Sequence, residues 1–298
     1  VKEILIPEKL KKGDKVGIIS PASPVEKREI EASVKFFEEY GLAVSFGKYA
    51  FTNRGYLSGT DTERLEDLLR FWADPDIKAV FCTRGGYGSL KLLRSLDFHS
   101  VMKLPKILVG YSDITALLLA MYEKANLMTF HGPVLKDASP PRNIKGMLKY
   151  LSAPIPVDIR ISDSQIIRPG LFKGRLIGGN LTVISHMVGT GFLPDPKGCV
   201  LFLEDIKEAP YRIDRALTQL KLSGYFNGIA GILLGNFNNC GPKDVITNIF
   251  ADLAGELKIP CVAGLPIGHK GKNITIAIGS ECLVDTYRYS IHIDPWCV

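Results

Sequence analysis

The stretch Lys106–Lys124 reads KILVGYSDITALLLAMYEK. Ile107 to Gly110 is a short apolar run of strand type, Gly110-Tyr111-Ser112-Asp113 is turn material, and an apolar helix starts at once and runs to Lys124. Ser112 therefore stands on a sharp turn at the carboxyl end of a strand, with helix N-terminal amides beside it. That is the layout of a nucleophile elbow, and parallel α/β sheets place their active sites along that edge. The backbone N–H of Asp113 is then placed to face an oxyanion. The competing account makes Ser112 an N-cap, a position that serine favours. The second glycine of a G-x-S-x-G pattern is missing, since Ile114 stands there, so this motif alone leaves both accounts open.

Working outward, the first half of the chain alternates strand and helix patterns. Lys15 to Ser20 is an apolar run stopped by Pro21-Ala22-Ser23-Pro24, and residues 25–40 show helical apolar spacing that Gly41 ends. Thr60-Asp61-Thr62-Glu63 reads as a capping box that opens a helix closed by Asp74-Pro75. Ile77 to Cys82 is a further buried strand, and Gly85-Gly86-Tyr87-Gly88 turns it into a helix carrying Leu90, Leu92, Leu93 and Leu96. This rhythm predicts an α/β fold whose N-terminal sheet is mostly parallel and covered on both faces.

Prolines 140, 141, 154, 156 and 169 break the rhythm, with one helical stretch near 143–151. We expect an N-terminal α/β domain over 1–140, a linker or crossover over 141–170, and a smaller strand-rich C-terminal α/β domain over 171–298. In the last, strands are expected at 174–177, 199–203, 231–234, 260–263, 274–278 and 287–293, with helices near 181–189, 212–222 and 243–257.

Composition narrows the class of function. Apolar residues make up 46% and charged residues 23%, which suits a globular chain with an ample core. The net charge of +6 raises the question of nucleic acid, but Lys9, Lys11, Lys12 and Lys15 are interrupted by Glu8 and Asp14 and have no aromatic partners. A solvated basic face is the better account. The six cysteines form no C-x-x-C pair, so neither a zinc site nor a disulfide framework is expected. No apolar run is long enough to span a membrane, and Val1 to Gly13 lacks a signal-type apolar stretch. A reducing cytoplasm, no membrane, no nucleic acid and no cofactor are the expectations.

A serine nucleophile needs a base, and the chain has five histidines. His99 and His292 read as structural, and His186, inside an apolar helix, reads as a core residue. His131 follows a strand-like run, and His269 lies in the glycine-rich Gly264-Leu265-Pro266-Ile267-Gly268-His269 loop after the strand at 260–263. Loops on strand ends are where bases tend to sit, and position favours His269 over His131. Glu204 and Asp205 end the apolar run Val200 to Leu203, as caps or as functional acids. Arg84-Gly85-Gly86-Tyr87-Gly88 lacks the third glycine of a dinucleotide loop, because Lys91 stands there. It is either a tight turn or a backbone that approaches a reacting carbonyl.

Together these blocks resemble a known family. VGIISPASP (16–24), GYLSG (55–59), RGGYG (84–88), GYSD (110–113), HGP (131–133), GGNL (178–181), LED (203–205) and GLPIGH (264–269) follow in the order of the LD-carboxypeptidase family. That family includes murein tetrapeptide carboxypeptidases and microcin-immunity peptidases. The resemblance implies a flavodoxin or class I glutaminase-like N-terminal sheet, and a C-terminal domain that completes the site. It implies Ser112 as nucleophile, Glu204 as acid and His269 as base, with the Gly86 and Asp113 amides as oxyanion hole and Asn180 lining the substrate cleft. EDIKEAPYRIDR (204–215) is similar to the murein-recycling branch, where Glu208 is placed to hold a diaminopimelate amine, unless it simply faces Lys207 or Arg212. Arg84 is a candidate for the product-side carboxylate. The resemblance further implies a small peptide substrate, no metal and a homodimer. A glutamine amidotransferase-like hydrolase would need cysteine at position 112, while a non-catalytic peptide-binding protein would keep the cleft without turnover.

Overall fold

The computed structural model describes residues 3–137, 140–269 and 271–297. The first half supplies strands β1 (Lys15–Ile19), β2 (Ala43–Phe46), β3 (Ile77–Cys82), β4 (Ile107–Gly110) and β5 (Thr129–His131). Between them lie helices α1 (Glu31–Tyr40), α2 (Asp61–Ala73), α3 (Phe98–Lys103) and α4 (Thr115–Ala125). Local chemistry sets these boundaries. Thr60 accepts a bond from Glu63 N while the Glu63 side chain returns one to Thr60 N, so the expected capping box opens α2. Gly41, in the left-handed region at φ 91°, closes α1.

These strands run parallel in the order β5-β4-β3-β1-β2, the flavodoxin-like sequence of a doubly wound sheet. Its direction of winding reverses between β1 and β3. The loops after those two strands, 20–24 and 83–88, flank the crevice where such folds bind ligands. The segment after Gly88 is a 3-10 turn, Ser89–Ser95, rather than the expected α-helix. It ends where Leu96 leaves the helix in extended geometry, and it buries Leu92 and Leu93.

The remainder builds a second sheet from β6 (Val157–Arg160), β7 (Ile166–Arg168), β8 (Leu171–Asn180), β9 (Val200–Ile206), β10 (Gly231–Asn238) and β11 (Cys261–Val262), then β13 and β14 below. Helices α5 (Arg142–Ser152), α6 (Leu181–Met187), α7 (Pro210–Leu222) and α8 (Lys243–Leu257) accompany it. Strand β12 (Ile276–Ile278) leaves this half and pairs antiparallel with β5 at the edge of the first sheet. Strands β13 (Glu281–Asp285) and β14 (Ser290–Ile293) then return, giving the order β6-β14-β13-β8-β9-β10-β11-β7. The stretch 141–170 thus holds α5 and both edge strands of the second sheet. Strands β8 to β11 are mutually parallel, so this sheet too has a functional carboxyl edge.

Helix α4 joins the two halves. Leu117, Leu118 and Leu119 are all fully buried, and α4 packs against α6, β8 and β12 as well as its own sheet. From Thr115 to Met121 every residue of the helix is buried, as expected of a segment without a polar face. At its N-terminus, Thr115 Oγ1 accepts from Asn180 N at 3.1 Å. A Cβ on Gly179 would come within 2.5 Å of Thr115 Cγ2, so glycine there lets β8 reach the helix. The contact brings the carboxyl ends of β4, β8 and β9 together.

Candidate active site

Ser112 occupies the turn between β4 and α4 with φ at 63°. A non-glycine residue in the left-handed region carries strain of about 1–2 kcal/mol, and such strain clusters at functional positions. The N-cap of the following 3-10 turn is Tyr111, and no side-chain cap bond is made there. Ser112 is therefore held for something other than capping. Asp113, which follows, is buried, and its carboxylate accepts from Ser89 N at 2.8 Å. Ser89 Oγ donates to the Asp113 carbonyl as well. Burial pushes the Asp113 carboxyl up, against the pull of the Ser89 bonds. This side chain, unnoticed in the sequence because only its amide drew attention, clamps the 85–89 loop to the elbow.

That loop lies directly on the serine. A Cβ on Gly85 would stand 2.8 Å from Ser112 Cβ, 3.0 Å from its Oγ and 3.3 Å from Asp113 N. The Gly85–Gly86 peptide thus lies beside the elbow, and its N–H belongs to Gly86. Gly86 has φ 104° and abuts Ser23 Oγ, which also accepts from Tyr87 N at 3.2 Å. Arg64, fully buried in α2, donates to the carbonyls of Pro21 and Gly88 and so ties the loops after β1 and β3 together. Gly85→Ala should displace this loop and lower kcat by about 10²–10³-fold, the cost of one oxyanion donor, with the circular dichroism spectrum unchanged. An alanine variant with full turnover would show that the loop has no part in the chemistry.

Glu204 ends the apolar part of β9 and is fully buried. Its Oε2 accepts from His269 Nδ1 at 2.6 Å. The His269 loop can approach so closely because residue 268 is glycine at φ 98°. A Cβ there would fall 2.5 Å from Glu204 Oε2. Burial alone lowers the His269 pKa, but the bond and charge of Glu204, with Asp137 and Asp205 behind it, outweigh this and leave it above the ordinary histidine value. With Nδ1 committed to Glu204, Nε2 is the nitrogen available as a base.

Tyr111 links the imidazole to the elbow. Its ring centroid lies 4.6 Å from that of His269, and its hydroxyl donates to Asp137 Oδ2 at 2.6 Å. Neither Tyr111 nor Asp137 carried a signal in the sequence, since an aromatic before a serine reads as ordinary core. Among the described residues no hydrogen bond joins Ser112 Oγ to His269, and such bonds commonly tighten only when substrate is bound.

The other candidates fall as follows. His131 is fully buried with neither ring nitrogen bonded among the described residues, and burial depresses its pKa to about 3, so it stays neutral. His186 was expected in the core but is exposed, because α6 turns Leu181, Ile184 and Met187 inward instead. His99 is exposed too. Asn180 caps α6 by accepting from Val183 N, and its amide donates to Asp205 Oδ1 at 3.0 Å. Asp205 also accepts from Thr182 N and Oγ1, so of the adjacent acids one holds the imidazole and the other holds α6. Glu208 pairs with Arg212 at 3.4 Å across a helical turn. Arg84 donates to the Pro24 carbonyl at 3.0 Å. Among the described residues no group of three metal-ligating side chains converges, and no helix is long and apolar enough to cross a membrane.

Known proteins resemble this chain along most of its length. The N-terminal domain model of the LD-carboxypeptidases matches residues 16–132, and the C-terminal domain model matches residues 173–284. A probable murein peptide carboxypeptidase from Bacillus subtilis is 38% identical, covering 94% of this chain and 91% of that protein. A murein tetrapeptide carboxypeptidase from Pseudomonas aeruginosa is 34% identical over 92% of this chain and 94% of its own length. The crystal structure of an MccF-like protein from Bacillus anthracis superposes with a TM-score of 0.90 at 29% identity, covering 98% of this chain and 99% of that one. The elbow, the buried carboxylate–imidazole pair and these matches lead to one assignment: the chain belongs to the LD-carboxypeptidase family of serine-type peptidases.

Proposed function

We propose that the protein hydrolyses the L,D-amide bond that releases terminal D-alanine from murein tetrapeptide, in the cytoplasm and as part of peptidoglycan recycling. The observation that carries this reading is the strained Ser112 elbow set beside the Glu204–His269 pair. His269 Nε2 takes the Ser112 proton as Oγ bonds to the scissile carbonyl carbon. The Gly86 and Asp113 amides receive the oxyanion, and His269 returns the proton to the leaving amine as the C–N bond breaks. Water, deprotonated by the same nitrogen, then releases the shortened peptide from the ester. Glu204 fixes the tautomer throughout.

The substrate assignment is supported by the names of the murein-peptide relatives and by the EDIKEAPYRIDR stretch, where Glu208 would hold a diaminopimelate amine once released from Arg212. Arg84 is proposed for the terminal carboxylate and Asn180 for the cleft wall. Six free thiols suit a reducing cytoplasm, and a homodimer follows the family. The likeness to an MccF-like protein favours one second reading, a peptidase of acyl- or peptidyl-nucleotides in the microcin-immunity manner. Mass spectrometry of murein tri-, tetra- and pentapeptides after incubation separates the two. Loss of one alanine from the tetrapeptide is expected, and cleavage of an aminoacyl-nucleotide with every murein peptide intact would replace the first reading by the second.

The pH dependence follows from the imidazole. The base must be neutral, and its pKa lies above the usual value of about 6.5, so kcat/KM should climb with pH along a limb centred above that value. In Glu204→Gln the raising charge is gone while burial remains, so the limb should move down. A limb unmoved by that substitution would mean that another group titrates.

A further inference from the structure

The three site residues are divided between the two halves of the chain. Ser112 follows β4 in the first half, whereas Glu204 and His269 belong to the second. The Glu204–His269 bond therefore ties the imidazole to its own sheet and leaves its distance from the serine to other contacts. Tyr111 makes such a contact from the residue next to Ser112, with ring centroids 4.6 Å apart. This ring is held at two further points. Its hydroxyl donates to Asp137 Oδ2 at 2.6 Å, in the Leu135–Asp137 turn that follows β5. Its ring also meets His131, the last residue of β5, edge-on at 5.8 Å. His131 in turn packs edge-on against Phe202, with centroids 5.0 Å apart. Phe202 precedes Glu204 by two residues, so strand alternation puts both on one face of β9. The contacts close a circuit from Glu204 through His269, Tyr111, His131 and Phe202 back to β9.

The chemistry of the circuit is uneven. Burial, with Asp137 and Glu204 nearby, raises the Tyr111 hydroxyl, so it stays protonated and donates. Burial also raises the Asp137 carboxyl, opposed by the Tyr111 bond and by His269. His131, kept neutral by burial, adds bulk without charge. A carboxylate withdrawn from water is a costly anchor for a ring that only fills space. Here it also sets a negative charge near the imidazole. We propose that Tyr111 and Asp137 are positioning residues for the base. The carboxylate pins the phenol, the pinned ring holds the His269 imidazole at the elbow, and the carboxylate offsets the charge that the imidazole acquires. The effect on turnover rests on His269 being the base of the proposed reaction, whereas the effect on the resting imidazole does not.

Among the described residues, the titratable groups facing the imidazole are Glu204 and Asp205 from β9, Asp137, Tyr111 and neutral His131. Lys136, beside Asp137, is paired with Glu29. The Asp137 charge favours imidazolium, so Asp137→Asn should lower the His269 pKa, with proton binding weakened about threefold. Nitrogen NMR titration of the labelled, substrate-free chain reads this, and His269→Gln assigns the signal. Tyr111→Leu should lower kcat for D-alanine release about 10²-fold with KM within about twofold, the scale of a slightly misplaced group. Tyr111→Phe keeps the ring and loses only the pin, and should come back to within about tenfold of wild-type kcat. An unmoved His269 titration in Asp137→Asn would overturn the charge role. Wild-type kcat in Tyr111→Leu would overturn the role of the ring, and wild-type kcat in Tyr111→Phe would overturn the pin. The two conservative variants decide the matter even if Tyr111→Leu fails to fold. Absence of all murein-peptide hydrolysis in the wild type would instead remove the peptidase reading, and the titration would still decide the link to Asp137.

Discussion

Replacing Ser112 with alanine is expected to lower release of terminal D-alanine by about 10⁴–10⁶-fold, the scale seen when a member of a cooperating triad is lost. The chain should remain folded, because Ser112 caps no helix and lies on the cleft side of α4. Its φ of 63° adds a second, independent signature. Ser112→Gly should be equally inactive but more stable than Ser112→Ala by about 1 kcal/mol, since glycine takes the left-handed region without a Cβ clash. Denaturant melts of the two variants measure this. Equal stabilities would mean that the turn relaxes and stores no strain, and an active alanine variant would remove the nucleophile altogether.

Glu204→Gln should be nearly as damaging, at about 10⁴-fold in kcat. The substitution keeps the shape of a fully buried side chain, so the loss is electronic and tautomeric rather than steric. A glutamine amide can donate to Nδ1, which places the proton on Nε2 and leaves the base facing Ser112 already protonated. The imidazolium that forms as the serine loses its proton is also left without its counter-charge. Nitrogen NMR of labelled His269 should show the proton moving from Nδ1 to Nε2. A variant with the wild-type tautomer and wild-type kcat would relegate Glu204 to a packing role.

Local signals carried much of the fold. The strand runs at 15–20, 77–82 and 107–110 were legible because a strand buried on both faces is a continuous apolar run. The α2 capping box and α8, Lys243–Leu257, were legible from caps and period. Strands β6, β7 and β13 were not, because each is short and half-exposed and gains its pairing from residues far along the chain, as Asp158 does from His292. The crossing of β12 to β5 is equally silent, since Ile276–Ile278 would suit either sheet.

The site divides in the same way. Ser112, Glu204 and His269 each end or follow a strand-like run, which made them visible as chemistry at a sheet edge. Their partners were hidden. Asp113 looked like half of a Ser-Asp cap and works through a carboxylate that holds Ser89, while Asp205, left open as a cap or a functional acid, anchors α6. Gly179 stood in the sequence only as part of the GGNL block, and its value is the missing Cβ beside Thr115. Such roles depend on what stands opposite, and that is a property of tertiary packing alone.

The most direct measurement is the rate of D-alanine release by Ser112→Ala, His269→Ala and the double variant, beside the wild type. If the serine hydroxyl and the imidazole act as one unit, the double variant should be no slower than the slower single variant. Losses that multiply would contradict a shared proton path between Ser112 and His269.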